Sequence, residues 1–278
     1  MTIREALRLA AARLEQAGVP DADVDAAYLL ASVLKEDTLA MRINGHRELA
    51  APQRAAFDAL CDRRAAREPL QYILGETEFM GLTFHVEPGV LIPRADTEIL
   101  VEKALAWMKP GARVLDIGTG SGAIAVSLAK LGRPAQVTAV DVSDRALEIA
   151  RQNAKRNGAA VEFVKSDCFS ALKGRKYDMI VSNPPYISED EMRGLMPEVV
   201  REPELALFGG ADGLDFYRRI SREAPEYLNE GGCLLFEIGW LQKDAVSALV
   251  KAHIGEPFAL RDYGQNWRVV GAKKEGAC

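Results

Sequence analysis

Two stretches of this chain carry residue types whose order implies chemistry. The first is Asp116-Ile117-Gly118-Thr119-Gly120-Ser121-Gly122-Ala123. Glycines at alternate positions permit a tight turn and let a ligand lie against bare backbone. Asp141 follows about 20 residues on, where a carboxylate closing the next strand accepts hydrogen bonds from ribose hydroxyls. A ribose-bearing cofactor is therefore expected across this loop. Gly118-x-Gly120-x-x-Ala123 formally satisfies a dinucleotide fingerprint, which leaves a nicotinamide-dependent oxidoreductase as an alternative. Asp116 argues against it. A carboxylate directly before the glycines suits the ammonium group of a methionine moiety, whereas a pyrophosphate needs N–H donors. S-adenosylmethionine is the preferred cofactor.

The second stretch is Val181-Ser182-Asn183-Pro184-Pro185-Tyr186. Each proline fixes its own φ and restrains the residue before it, so Asn183 and Pro184 are held extended. The Asn183 side-chain oxygen and the Pro184 carbonyl can then point into one small space, where two acceptors fit an NH2 group. Tyr186 is expected to add a flat surface for a planar amide or base. Methyl transfer from a sulfonium is an in-line displacement, and an amide nitrogen is a poor nucleophile because its lone pair is delocalised. Holding both N–H groups turns that nitrogen towards the methyl, and such positioning contributes up to ~7–11 kcal/mol. No general base is needed before transfer, because the proton becomes acidic once the nitrogen is alkylated. No Ser-His-Asp or Cys-His arrangement competes with this reading.

These stretches need a scaffold, and the pattern around them supplies one. Residues 113–117, 136–141, 161–165 and 177–182 read as strands, with helices over 123–130 and 144–156 between the first three. Further on, 212–228 reads as helix, 232–238 as strand, 243–253 as helix, and 258–261 and 267–271 as strands. This alternation implies an α/β, Rossmann-like domain over 95–278, with a last strand that runs antiparallel. A helix over 95–108 precedes it. Residues 76–94 read as a hairpin linker, with turns at Met80-Gly81 and Pro88-Gly89. Residues 1–75 read as a small helical bundle. Thr2-x-x-Glu5 is a capping box ahead of Ile3, Leu7, Ala10, Ala11 and Leu14. Val24, Ala27, Tyr28 and Ala31 repeat the apolar face, as do Phe57, Leu60, Cys61 and Arg64 after Pro52. The bundle is either a structural cap or a recognition domain for a protein substrate, and the second is adopted.

Composition narrows the classes. The chain has 278 residues, 48% of them hydrophobic and 27% charged, which excludes a disordered chain. Its net charge is −5, and no basic stripe marks a direct nucleic-acid substrate. No apolar run approaches the ~18 residues of a membrane span, and the N-terminus shows no signal-peptide core. Cys61, Cys168, Cys233 and Cys278 are scattered without a C-x-x-C, which reads as reduced thiols in the cytoplasm. His46, His85 and His253 lie in no metal-binding pattern, so no metal is expected.

Residues 114–122 with Asn183-Pro184-Pro185-Tyr186 resemble class I methyltransferases that modify amino nitrogens on planar groups. Leu91-Ile92-Pro93-Arg94-x-Asp96-Thr97-Glu98, Glu202-Pro203-x-x-Ala206-Leu207, Gly209-Gly210-x-Asp212-Gly213 and Glu237-Ile238-Gly239 resemble, more narrowly, the release-factor glutamine methyltransferases. The resemblance covers nearly the whole chain. Asn183-Pro184-Pro185-Tyr186 alone is shared with adenine-N6 methyltransferases of nucleic acids, which stand as a second alternative. The family implies methylation of the glutamine nitrogen in the Gly-Gly-Gln motif of peptide chain release factors 1 and 2, with Asn183 as the catalytic residue. It implies that Asp116, Gly118, Thr119, Gly120, Ser121, Gly122, Asp141, Cys168 and Asn183 bind the cofactor, and that residues 183–186 bind the substrate. Either Cys168 or Phe169 covers the adenine. Arg94 to Glu98 either shape the substrate's approach or start a helix with Asp96 as its N-cap.

Overall fold

A computed structural model describes residues 1–274, which divide into two compact units. One comprises Met1–Glu76 together with Met196–Arg201, and the other holds the rest of the described chain. The expected boundary at 75/76 thus moves by a residue, and a short later segment joins the first unit.

The first unit is helical: α1 (Ile3–Gln16), α2 (Ala22–Leu34), α3 (Thr38–Ile43), α4 (Ala51–Ala65) and α5 (Leu70–Leu74). The expected capping box is formed, with Glu5 N–H donating to Thr2 Oγ1 at 3.3 Å and Thr2 N–H to Glu5 Oε2 at 2.8 Å. α2 turns only half of the expected face inward, burying Ala27 and Ala31. Val24 and Tyr28 are exposed, and Ala26, Leu29 and Leu30 are fully buried. Apolar residues run almost all round this helix, so spacing alone did not select the stripe. Arg64 is 4% exposed on the inner face of α4. It donates to Asp25 at 2.7 Å and to Glu198 at 2.9 Å, and Arg67 grips both Glu198 oxygens at 2.6 Å. This buried charge cluster, together with Arg201 donating to the Ala66 carbonyl at 2.5 Å, ties residues 196–201 to the helices.

The second unit opens within β1 (Glu76–Phe79), at Thr77, and continues with β2 (Leu82–His85), then α6 (Glu98–Trp107), β3 (Arg113–Ile117), α7 (Ala123–Leu131), β4 (Gln136–Asp141), α8 (Asp144–Asn157), β5 (Glu162–Lys165) and β6 (Tyr177–Ser182). It continues with α9 (Glu189–Met192), α10 (Asp215–Glu223), β7 (Leu228–Glu237), α11 (Lys243–His253), β8 (Phe258–Arg261) and β9 (Trp267–Lys273). Seven strands form one sheet in the order β5-β4-β3-β6-β7-β9-β8. Every pairing from β5 across to β7 is parallel, and β9 runs antiparallel to both neighbours. Apolar clusters cover both faces of the sheet, one around Val114, Val126 and Leu235 and the other around Leu115, Ile180 and Phe236.

The hairpin β1–β2, expected as a linker, is built into this unit. Phe79 and Phe84 meet edge to face at 6.0 Å inside the core. Asn153 of α8 ties the hairpin to the glycine loop, accepting from His85 N–H at 2.7 Å and donating to the His85 and Ser121 carbonyls at 3.0 and 2.9 Å. The helix expected over 212–228 is shorter. Gly213, at φ +73°, delays its start, and Pro225 turns the last part into a 3₁₀ segment, Ala224–Glu226. Cys61, Cys168 and Cys233 are free and buried, while Cys278 lies outside the described residues. Among the described residues no helix is long and apolar enough to cross a membrane.

Candidate active site

β3 lies between β4 and β6, so the chain crosses to opposite sides of it, and the carboxyl end of β3 opens into a cleft at this switch point. The loop that follows is anchored by two hydrogen bonds to the Val140 carbonyl, from Gly118 N–H at 2.9 Å and Thr119 N–H at 3.0 Å. Gly118 and Gly120 take φ of +73° and +55° and line the cleft. A Cβ added to either would meet nothing within 4 Å. Their missing side chains leave an open cradle. Gly122, also expected to hold cofactor, has a different reason to be glycine: its Cβ would stand 3.0 Å from Ala150 Cβ of α8. It lets two helices approach.

Asp116 is fully buried at the end of β3. Thr119 Oγ1 donates to its Oδ2 at 2.7 Å, and its Oδ1 has no hydrogen-bond partner. Burial pushes this carboxyl up to about 7. Asp141 lines the cleft, and its two oxygens accept from Gly120 N–H and Ser143 N–H, both at 2.9 Å. It therefore shapes the glycine loop and still has lone pairs for ribose hydroxyls. Asp116, Thr119, Ser121 and Gly122 stand behind the cleft wall, not on it. An orphaned carboxylate oxygen just behind an open glycine cradle, with Asp141 on the wall, fits the ammonium and ribose of S-adenosylmethionine.

Of the two candidates for the adenine, Cys168 lines the cleft at φ +48°. Phe169 is 1% exposed and stacks on Tyr227 at 4.4 Å, so it braces the wall from the core side. Val142, Phe216 and Ile220 complete the apolar wall. No pattern in the sequence singled out these three.

β6 ends at Ser182, whose hydroxyl donates to the Ile117 carbonyl at 2.8 Å and locks the ends of β3 and β6 together. Asn183, Pro184 and Pro185 then face the cleft. Tyr186 does not form its wall, contrary to the flat surface expected of it. Its ring packs on the core beneath, where burial pushes the phenol well up, and its carbonyl accepts from Gln242 at 2.9 Å. Asn183 Nδ2 donates to Thr97 Oγ1 at 3.3 Å, which leaves Oδ1 as the end available to a ligand.

The other motifs converge on this spot. A Cβ on Gly209 would stand 2.6 Å from the Pro185 carbonyl oxygen, and one on Gly213 would overlap the Tyr186 carbonyl. The glycines admit the Pro185-Tyr186 backbone. Arg94 pairs with the buried Glu202, which also accepts from Ile92 N–H at 3.0 Å. Asp96 is not a helix cap. It pairs with Arg268 at 3.0 Å, within the 3₁₀ turn Ala95–Thr97 that precedes α6. Glu98 accepts from Met80 N–H at 2.6 Å, and Glu237 is buried beside Thr97 and Asn183.

Comparison with known proteins decides between the readings of this cleft. The Methyltransferase small domain family matches residues 82–211, and the PrmC N-terminal domain family matches residues 5–75. The chain is 45% identical to the release factor glutamine methyltransferase of Geobacter sulfurreducens, over 98% of this chain and 96% of that one. It is 44% identical to that of Cereibacter sphaeroides over the full length of both. The protein belongs to the release factor glutamine methyltransferase family. Membership removes the nicotinamide-oxidoreductase alternative and makes the cleft that of a methyltransferase. Among solved structures, a Pyrococcus furiosus methyltransferase shares the fold, with a TM-score of 0.56 at 23% identity over 71% of this chain and 91% of that one. This methyltransferase thus sets its glycine loop and its Asn183 loop on neighbouring strands of a widely used sheet.

Proposed function

We propose that this methyltransferase transfers the methyl group of S-adenosylmethionine to the side-chain nitrogen of the glutamine in the Gly-Gly-Gln motif of release factors 1 and 2. The observation that carries this reading is Asn183: its NH2 is engaged by Thr97, its loop lines the cleft, and two prolines stiffen the backbone after it. When bound, the sulfonium supplies an electrophilic methyl for in-line attack. Asp116 Oδ1 holds the ammonium, Asp141 holds the ribose, and Gly118 and Gly120 admit the chain between them. Asn183 Oδ1 and the Pro184 carbonyl accept the two N–H groups of the target amide and turn its nitrogen towards the methyl. Both acceptors are in place before the substrate arrives, so little reorganisation is needed.

The cofactor-binding and substrate-binding roles of the named residues belong to this proposal. So do a protein in place of a nucleic-acid substrate, which the net charge of −5 supports, and a cytoplasmic location, which the free, buried Cys61, Cys168 and Cys233 support. The helical unit is assigned to recognition of the release factor. Residues 196–201, which follow the Asn183 loop closely in the chain, belong to that unit. The test is methylation of purified release factor by Asn183→Ala. Turnover should fall by ~10²–10³ with a small change in cofactor affinity. Turnover within about twofold of wild type would return residues 183–186 to a structural turn.

A further inference from the structure

We propose that Glu237 is a positioning residue which, with Thr97, sets the end of the Asn183 amide that faces the cleft. This rests on the reading above, in which Asn183 Oδ1 accepts from the target amide. Glu237 ends β7 and Asn183 follows β6. These strands are parallel neighbours with Phe236 opposite Ser182, so the two side chains stand side by side at one sheet edge. Glu237 is 1% exposed, and its Oε2 has no hydrogen-bond partner. A buried carboxylate with an unused oxygen is costly to fold around and calls for a reason. The Thr97 hydroxyl and the Asn183 amide both stand beside the Glu237 carboxylate and favour its ionised form, and Asn183 Nδ2 donates to Thr97 Oγ1 at 3.3 Å.

The arrangement is directional. An ionised carboxylate only accepts. The one hydroxyl proton of Thr97 goes to Glu237, which leaves its lone pairs for Asn183. Both groups beside the Asn183 NH2 are therefore acceptors. A flipped amide would set Oδ1 against them and present an NH2 to the NH2 of the target glutamine. That orientation is repelled at both ends.

Charges on the surrounding elements bear on Glu237. Arg268 of β9 lies close and is held by Asp96 and Asp262, each at 3.0 Å. Tyr186 after β6 faces it, and Tyr217 of α10 donates to its backbone carbonyl at 2.8 Å. Burial pushes the carboxyl up to about 7, against the hydrogen bond from Thr97 and the nearby Arg268, which favour the ionised form. Once protonated, Glu237 gains a donor and no longer disfavours the flipped amide. Turnover should therefore fall as pH drops through about 7.

The test is single-turnover methylation of release factor at saturating S-adenosylmethionine, over about two pH units centred near 7. Wild type should show a one-proton rise with pH. Glu237→Gln should lose roughly 10- to 100-fold in turnover together with that inflection, with KM and cofactor affinity within about twofold. Adding Glu237→Gln to Asn183→Ala should cost nothing further, because the two act through one group. Thr97→Ser should retain turnover, and Thr97→Val should lose it. Wild-type turnover with the same inflection in Glu237→Gln, or additive losses in the double variant, would overturn the positioning role and leave the Asn183 reading intact. Near-wild-type turnover in Asn183→Ala would overturn that reading instead. Should Glu237→Gln fail to fold, equal turnover of Thr97→Ser and Thr97→Val would overturn the proposal.

Discussion

Gly120→Ala and Gly122→Ala separate the cofactor cradle from the packing beneath it. Both residues hold left-handed φ, +55° and +84°, so each alanine carries a backbone cost of ~1–2 kcal/mol. At Gly120 the new methyl meets no protein atom within 4 Å, and no further cost is due. At Gly122 it stands 3.0 Å from Ala150 Cβ and 3.2 Å from Ala150 Cα, and overpacking of this kind adds ~1–3 kcal/mol. Denaturant unfolding should therefore show a loss of about 1–2 kcal/mol for Gly120→Ala and roughly 2–5 for Gly122→Ala. Cofactor binding should rank the other way. The Gly120 methyl projects into the open cradle, so calorimetry with S-adenosylhomocysteine should show at least about a tenfold loss of affinity, or about 1.4 kcal/mol. Gly122→Ala, measured while folded, should change affinity less. Unchanged binding by Gly120→Ala would refute the assignment of the open space to the cofactor.

Asn183→Asp should be as poor as Asn183→Ala in methylation assays, because it replaces the NH2 that donates to Thr97 by an oxygen beside the Glu237 carboxylate. Activity well above that of the alanine variant would show that the NH2 is dispensable. Cofactor affinity should weaken as pH falls below about 7, approaching tenfold per unit, since Asp116 must then lose a proton to meet an ammonium. Calorimetric titrations of Asp116→Asn should be flat over the same range. In the helical unit, Arg64→Ala strands Asp25, and breaking such a buried pair costs ~3–5 kcal/mol in thermal or chemical unfolding. Burial raises Glu198, but hydrogen bonds from Arg67 and Arg64 outweigh it and hold its carboxyl at about 2. Its folded-state pKa is thus depressed. The stability it lends is present above its unfolded pKa and is lost as pH falls through about 2, so Glu198→Gln should flatten that part of the acid-unfolding profile.

What could be read from the sequence was set by how local its cause is. β3, β4, β6 and α11 lie where continuous apolar runs meet Asp, Gly and Pro, and the glycine loop and the Asn183 loop declare themselves by spacing. The roles within those loops were less legible. Gly118, Gly120 and Gly122 look alike in sequence, yet one packs a helix and two face open space, a difference set by Ala150 on the next helix. Tyr186 looks exposed after two prolines but is drawn down by Gln242 and the glycines of residues 209–213. Residues 196–201 join the helical unit through one acid among many, Glu198, and one arginine, Arg201. Val24 and Tyr28 face solvent because α2 offers more apolar residues than its neighbours can cover. Glu237 was visible only as part of a motif; its significance lies in what β6 and the turn before α6 set beside it.

The methylated atom itself can be identified directly. Purified release factor, incubated with isotopically labelled S-adenosylmethionine and this protein and then digested, should carry one methyl group on the peptide containing Gly-Gly-Gln. Fragmentation should assign it to the glutamine side-chain nitrogen. The same digest from Asn183→Ala should be unlabelled on that time scale. A methyl group on any other residue, or label passing at a matching rate to adenine in DNA, would contradict the account.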